Sequence, residues 1–178
     1  MRRTKALLAI AGLVCFWTWP CACAGEGPII IIESNPVLSI SDETGSFTLI
    51  FPNFISGTVS TAQTVLYRVQ ANNMTPGLVP GAVSARLQET MEGIDLEADV
   101  NGYQNLGNST FARLQEAQSG YRVVQVSETA LADKTAGTGG GDVSLDGNLT
   151  VTWRARLTAP AAAGQRSQFL VVTLKEGV

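Results

Sequence analysis

The residues of this chain that come nearest to chemistry are acidic and stand two apart: Asp95, Glu97 and Asp99, followed by Asn101, in "IDLEADVNG". Oxygen ligands of this kind suit a calcium ion. The spacing is not that of a calcium loop, because side chains two apart on a strand form a row and do not converge on a point. The glycine that would curl such a loop inward, Gly102, comes only after Asn101. Three readings of the row follow: a solvated acidic face, a weak calcium site on Asp95, Glu97 and Asp99, or a set of cross-strand partners for Arg154 and Arg156. A second acidic stretch, "DVSLDGN" from Asp142 to Asn148, is better read as a hairpin, with Asp146 to Asn148 as its tight turn. "GTGGG", Gly137 to Gly141, lacks the G-K-[ST] ending of a phosphate loop and opens no helix, so it reads as a flexible linker inside the surface loop Lys134 to Asp142.

What is missing decides more than what is present. The chain has no histidine, and its three cysteines, Cys15, Cys21 and Cys23, all lie near the N-terminus. The commonest general base, the usual zinc and copper ligands and every Ser-His or Cys-His pair are therefore gone. Beyond the first residues the only lysines are Lys134 and Lys175, in no S-x-x-K arrangement. The expectation is a protein without enzymatic activity or cofactor, a carboxylate hydrolase built on Asp95, Glu97 or Asp99 being the weakest alternative. Glycan binding calls for exposed aromatic platforms. Trp153 falls on the apolar face of its strand, which leaves Tyr103 and Phe54 as candidates. N-x-[ST] sequons occur at Asn73, Asn108 and Asn148, the first two in expected loops.

The N-terminus opens with Arg2, Arg3 and Lys5, continues with an apolar run from Ala6 to Trp19, and ends in "PCACA". Basic, apolar and small-residue regions in that order predict a secretory signal over residues 1–24, removed after Ala24, with one domain over residues 25–178. The predicted mature chain then holds no cysteine. The whole chain carries a formal charge of −3, and the three cations of the leader make the remainder more acidic still. Nucleic acid and anionic membrane surfaces are thereby disfavoured as partners, and copies of the same chain or other envelope proteins are favoured.

Short runs of period two, separated by Gly, Asn, Pro and Ser clusters, predict the elements that would position these residues. "NLTVTWRARL" puts Leu149, Val151, Trp153, Ala155 and Leu157 on one face and Thr150, Thr152, Arg154 and Arg156 on the other. The same alternation turns Val65, Tyr67, Val69 and Ala71 inward, then Val83, Ala85 and Leu87, then Ile94, Leu96, Ala98 and Val100. "SFTLIF" (Ser46 to Phe51) and "QFLVVTLK" (Gln168 to Lys175) are apolar on both faces and predict strands that are central or covered on both sides. "YRVVQV", Tyr121 to Val126, is a further strand, and "NSTFARLQEAQ", Asn108 to Gln118, suits a short helix. "NNMTPGLVPG", Asn72 to Gly81, and "TAPAAAGQ", Thr158 to Gln165, read as connections. No fixed-period repeat is evident.

The closing stretch, "LTVTWRARLTAPAAAGQRSQFLVVTLKEG", resembles the last hairpin of bacterial secreted sandwich domains of the fimbrial-subunit and spore-coat-U type, in which a small-residue P-A-G-like turn precedes a Thr/Val-rich strand. The chain departs from that pattern in lacking a cysteine pair and in having "GQRSQF" where a tyrosine follows the turn glycine. The resemblance implies an immunoglobulin-like sandwich used as a structural surface subunit.

The expected fold is thus all-β, an immunoglobulin-like antiparallel sandwich of about seven to nine strands with one short helix. The expected role is an exported structural or adhesive subunit of a pilus- or coat-like bacterial surface structure; the alternative is a monomeric secreted or periplasmic module for glycan or calcium-dependent attachment. Ile29, Ile30, Ile31 and Ile32, in "PIIIIESNP", are too few to cross a bilayer. They predict an assembly strand that completes either this chain's own sheet or another subunit's.

Overall fold

The computed structural model describes residues 38–42, 45–74, 76–106, 112–135, 143–162 and 164–175. The chain divides into two units, Met1–Ile31 and Ile32–Val178, and every described residue belongs to the second. Among them are nine strands: β1 (Leu38–Asp42), β2 (Gln63–Met74), β3 (Val79–Leu87), β4 (Ile94–Asn105), β5 (Arg113–Glu116), β6 (Arg122–Val124), β7 (Thr129–Thr135), β8 (Val143–Leu157) and β9 (Leu170–Leu174). They form a five-stranded sheet in the order β1-β2-β8-β4-β6 and a four-stranded sheet in the order β5-β7-β3-β9. Every pairing is antiparallel. Residues 1–24, expected as a leader, and Ile29 to Ile32, Asn108 and Gly137 to Gly141 lie outside the described residues. No helix among the described residues is long and apolar enough to cross a membrane.

The period-two runs become the strands that make the core. Val65, Tyr67, Val69 and Ala71 of β2 and Leu149, Val151, Trp153, Ala155 and Leu157 of β8 are all buried, as are Leu96, Ala98 and Val100 of β4 and Val83, Ala85 and Leu87 of β3. One face of each strand is apolar, so the two sheets exclude water by stacking those faces together. Trp153 is fully buried, and the ring of Phe47 stacks on it with centroids 5.9 Å apart.

Several expectations are corrected. Asp146 to Asn148 do not turn: β8 runs straight through them, Gly147 pairing with Val69 on one side and Asn105 on the other. The glycine answers a different need. A Cβ there would come within 2.4 Å of Tyr103 Cζ and 2.5 Å of the Gln104 carbonyl oxygen, so its absence lets the Tyr103 ring of β4 lie across the strand. Lys134 is not in a surface loop but in β7, fully buried, opposite Val79 of β3 and Leu114 of β5. The helix expected over Asn108 to Gln118 is, in its described part, strand β5. Ala112 and Leu114 are buried while Arg113 and Gln115 are exposed, and that period of two wins over the capping residues upstream. The loop expected from Asn72 to Gly81 is shorter, since β2 reaches Met74 and β3 begins at Val79.

The two runs read as doubly buried are not. Ser46 to Phe51 form no named strand. Gly45, at φ +64° with its N–H donated to Asp42 Oδ1 at 2.6 Å, leads the chain out of β1. Phe47, Leu49 and Phe51 are then half-buried while Thr48 and Ile50 are exposed. The other run supplies β9, which has β3 as its one neighbour and so forms a sheet edge among the described residues.

Candidate functional site

In the acidic row of β4, Glu97 meets two arginines. Register places Asp95 opposite Arg156 and Glu97 opposite Arg154 of β8. Glu97 Oε2 accepts from Arg154 Nε at 2.6 Å and Glu97 Oε1 accepts from Arg156 Nε at 2.8 Å. Burial pushes the Glu97 carboxyl upward, but the hydrogen bonds and positive charge of the two guanidiniums outweigh it and hold the group below the ordinary carboxylate value. Arg154 also lies over the Tyr121 ring, 3.4 Å from its centroid, a cation–π contact that fixes the guanidinium. Asn101 accepts a hydrogen bond from Thr152, and Arg68 pairs with Asp146 on the same face. Among the described residues no three side chains of metal-binding type come together. This face is a network of ion pairs and hydrogen bonds on the outer side of the five-stranded sheet.

A second charged group lies inside. Arg122 of β6 sits opposite Ala98 and is buried, its Nη1 donating to the carbonyls of Ala130 at 2.7 Å and Leu131 at 3.3 Å. It thereby ties the edge of one sheet to β7 of the other. Its Nε and Nη2 have no hydrogen-bond partner among the described residues. Burial lowers its pKa, and the negative charges of Glu116, Asp99 and Asp133 work against that. Through the bonds to Ala130 O and Leu131 O, Arg122 is a clamp between sheets.

The concave feature lies where the sandwich is open. A cleft of about 930 Å³ runs between Ser46–Phe51 on one side and Gln165–Val172 on the other. Tyr67, Leu87, Leu96 and Leu157 line its floor. The Tyr67 hydroxyl titrates well above its ordinary value, first because it is buried and then because Asp42 is close by. Exposed apolar side chains stand at its rim: Ile50, Phe54 and Phe169, the last at 74%. Phe54, a candidate sugar platform, is part of this rim, whereas Tyr103 is half-buried over Gly147.

Along this opening runs the edge of β9. Gln88 N donates to Phe169 O at 3.0 Å and Lys175 N to Ala82 O at 2.7 Å, with Leu87 opposite Leu170 and Val83 opposite Leu174 between them. Antiparallel pairing alternates. The backbone groups of Phe169, Val171, Thr173 and Lys175 therefore face β3, and those of Leu170, Val172 and Leu174 face outward to the edge. Nothing in β9 protects that edge: it carries no charge, no proline and no bulge. The first flanking charges are Arg166, which donates to Glu92 O, and Lys175, which pairs with Glu128.

The fold and site define an antiparallel two-sheet β-sandwich with an apolar opening beside an edge strand, β9, that has one neighbour among the described residues. Compared with protein-family models, curated proteins and solved structures, the chain matches none.

Proposed function

We propose that this chain is an exported, non-enzymatic structural or adhesive subunit of a bacterial surface structure, an immunoglobulin-like sandwich whose open side is completed by another polypeptide. The observation that carries this reading is the edge of β9. It presents the outward backbone groups of Leu170, Val172 and Leu174 beside an apolar cleft of about 930 Å³, and an uncapped apolar edge is a template for strand addition. The leader, the lack of histidine and the acidic balance of the chain support the same reading. It ranks above a monomeric calcium or glycan module because Glu97 is already committed to two arginines and Phe54 belongs to the cleft rim.

The test is expression of the full chain with its leader in a Gram-negative host, followed by fractionation, native gels and electron microscopy. Dimers or larger species in the envelope or medium are expected. A chain that stays in the cytoplasm, or is exported and remains monomeric at high concentration, overturns the proposal.

A further inference from the structure

We infer that the partner of β9 is β9 of a second copy, paired antiparallel about a two-fold axis through Val172. The inference rests on the assembly reading above and names the surface and the partner. Its first support is a mismatch between composition and position. Leu170–Leu174, with Phe169 before it, is apolar on both faces, as central strands are, yet it stands at an edge with Phe169 exposed. Two-fold pairing removes the mismatch, because the two four-stranded sheets join and β9 becomes central.

The second support is that this strand is complementary to itself. In the register centred on Val172, Leu170 faces Leu174 of the second copy, Val172 faces Val172, and Val171 faces Thr173. The backbone groups that point outward are those of residues 170, 172 and 174, which this register brings together as hydrogen-bonded pairs; three such pairs exchange about six hydrogen bonds. No like charges oppose one another within the strand, since residues 170–174 carry none. Lys175, at one end, is neutralised by Glu128 of its own chain. A contact of this kind is isologous and closed, so it yields a dimer from this edge and not an open chain.

The alternation supplies a selective test. A proline at 172 removes an N–H that points outward and leaves the ladder to β3 intact, whereas a proline at 171 removes one that bonds to β3. For the full exported chain with Cys15, Cys21 and Cys23 changed to serine, Val172→Pro is expected to weaken dimerisation about a hundredfold or more by light scattering. Its circular dichroism should be unchanged, while Val171→Pro unfolds the edge. Val172→Cys should form a disulfide dimer under mild oxidation, because a hydrogen-bonded pair on the axis sets the Cα atoms about 5.5 Å apart. Thr173→Cys alone should not, being diagonal to its own copy.

Equal cross-linking of both cysteine variants, cross-linking of neither, or a dimer that survives Val172→Pro overturns the inference. So does an Ile30→Cys/Val172→Cys chain whose disulfide joins those two positions. High-mass assembly that persists in Val172→Pro sinks the two-fold contact and leaves the subunit reading standing. A Val172→Cys dimer that never enters an envelope or surface fraction supports the contact and sinks the subunit reading.

Discussion

Gly147→Ala is the sharpest test of how β8 is built. The added Cβ would lie 2.4 Å from Tyr103 Cζ, 2.5 Å from Tyr103 Cε2 and 2.5 Å from Gln104 O. Comfortable carbon contacts fall at about 3.5–4.0 Å, so the overlap is an ångström or more. The Tyr103 ring can swing away, losing its packing. The Gln104 carbonyl cannot, because Gln104 is held in the ladder opposite Asn148. Overpacking of this kind costs about 1–3 kcal/mol, and the entropy that alanine removes from the unfolded chain returns about 0.4–1 kcal/mol. A net loss of about 1 kcal/mol is expected, which for a domain of this size lowers Tm by about 2–4 °C. Urea and thermal melts followed by circular dichroism measure it. Tyr103→Ala in the same background should recover part of the loss, the clash with Gln104 O remaining. A Gly147→Ala chain as stable as wild type would refute the close crossing and restore the hairpin turn that Asp146 to Asn148 suggest by sequence.

Other perturbations follow from the same geometry. Because Glu97 titrates below its ordinary value of about 4.5 in the folded chain, its contribution is fully present above that pH and fades as pH falls through the lower folded value. Glu97→Gln should therefore cost about 1 kcal/mol at pH 7, the half-exposed arginines rehydrating, and the gap between variant and wild type should shrink towards pH 3 in parallel urea titrations. A gap that is constant with pH would mean the carboxylate charge is not what matters. Trp153→Ala empties the centre of the core beneath Phe47 and should cost about 3–5 kcal/mol, read as a shift in urea midpoint. Arg122→Ala strips the donors from Ala130 O and Leu131 O and leaves a void, for an expected loss of about 2–4 kcal/mol; hydrogen exchange should quicken first in β6.

How much of this was legible in the sequence depended on whether a strand's inner face could be read without knowing its neighbours. β2, β4 and β8 alternate apolar and polar residues cleanly, so their buried sets were evident. The facing of Glu97 with Arg154 and Arg156 followed from two such alternations, although only the structure supplies the register. Gly147 was opaque because the residue that demands it, Tyr103, lies on another strand; "DGN" alone carries the signature of a turn. Lys134 stands next to the glycine-rich stretch and looks like its start, yet its pairing in β7 opposite Val79 and Leu114 buries it. For β9 the residues correctly spelled a strand apolar on both faces. Its place at an edge was invisible, because strand order is a property of the whole chain. The cleft was missed for the same reason: Ser46–Phe51 line it without pairing as a strand.

Val143–Leu157 has a consequence for how the protein comes into being. The five-stranded sheet is ordered β1-β2-β8-β4-β6, so β2 and β4 both hydrogen-bond to a strand made after them. Until that late segment has left the ribosome, β2 has only the short β1 beside it, and β4 only the short β6. Loop closure over such separations is slow. A nascent chain of this topology therefore stays open for most of its synthesis and commits to its fold only once the central strand has emerged.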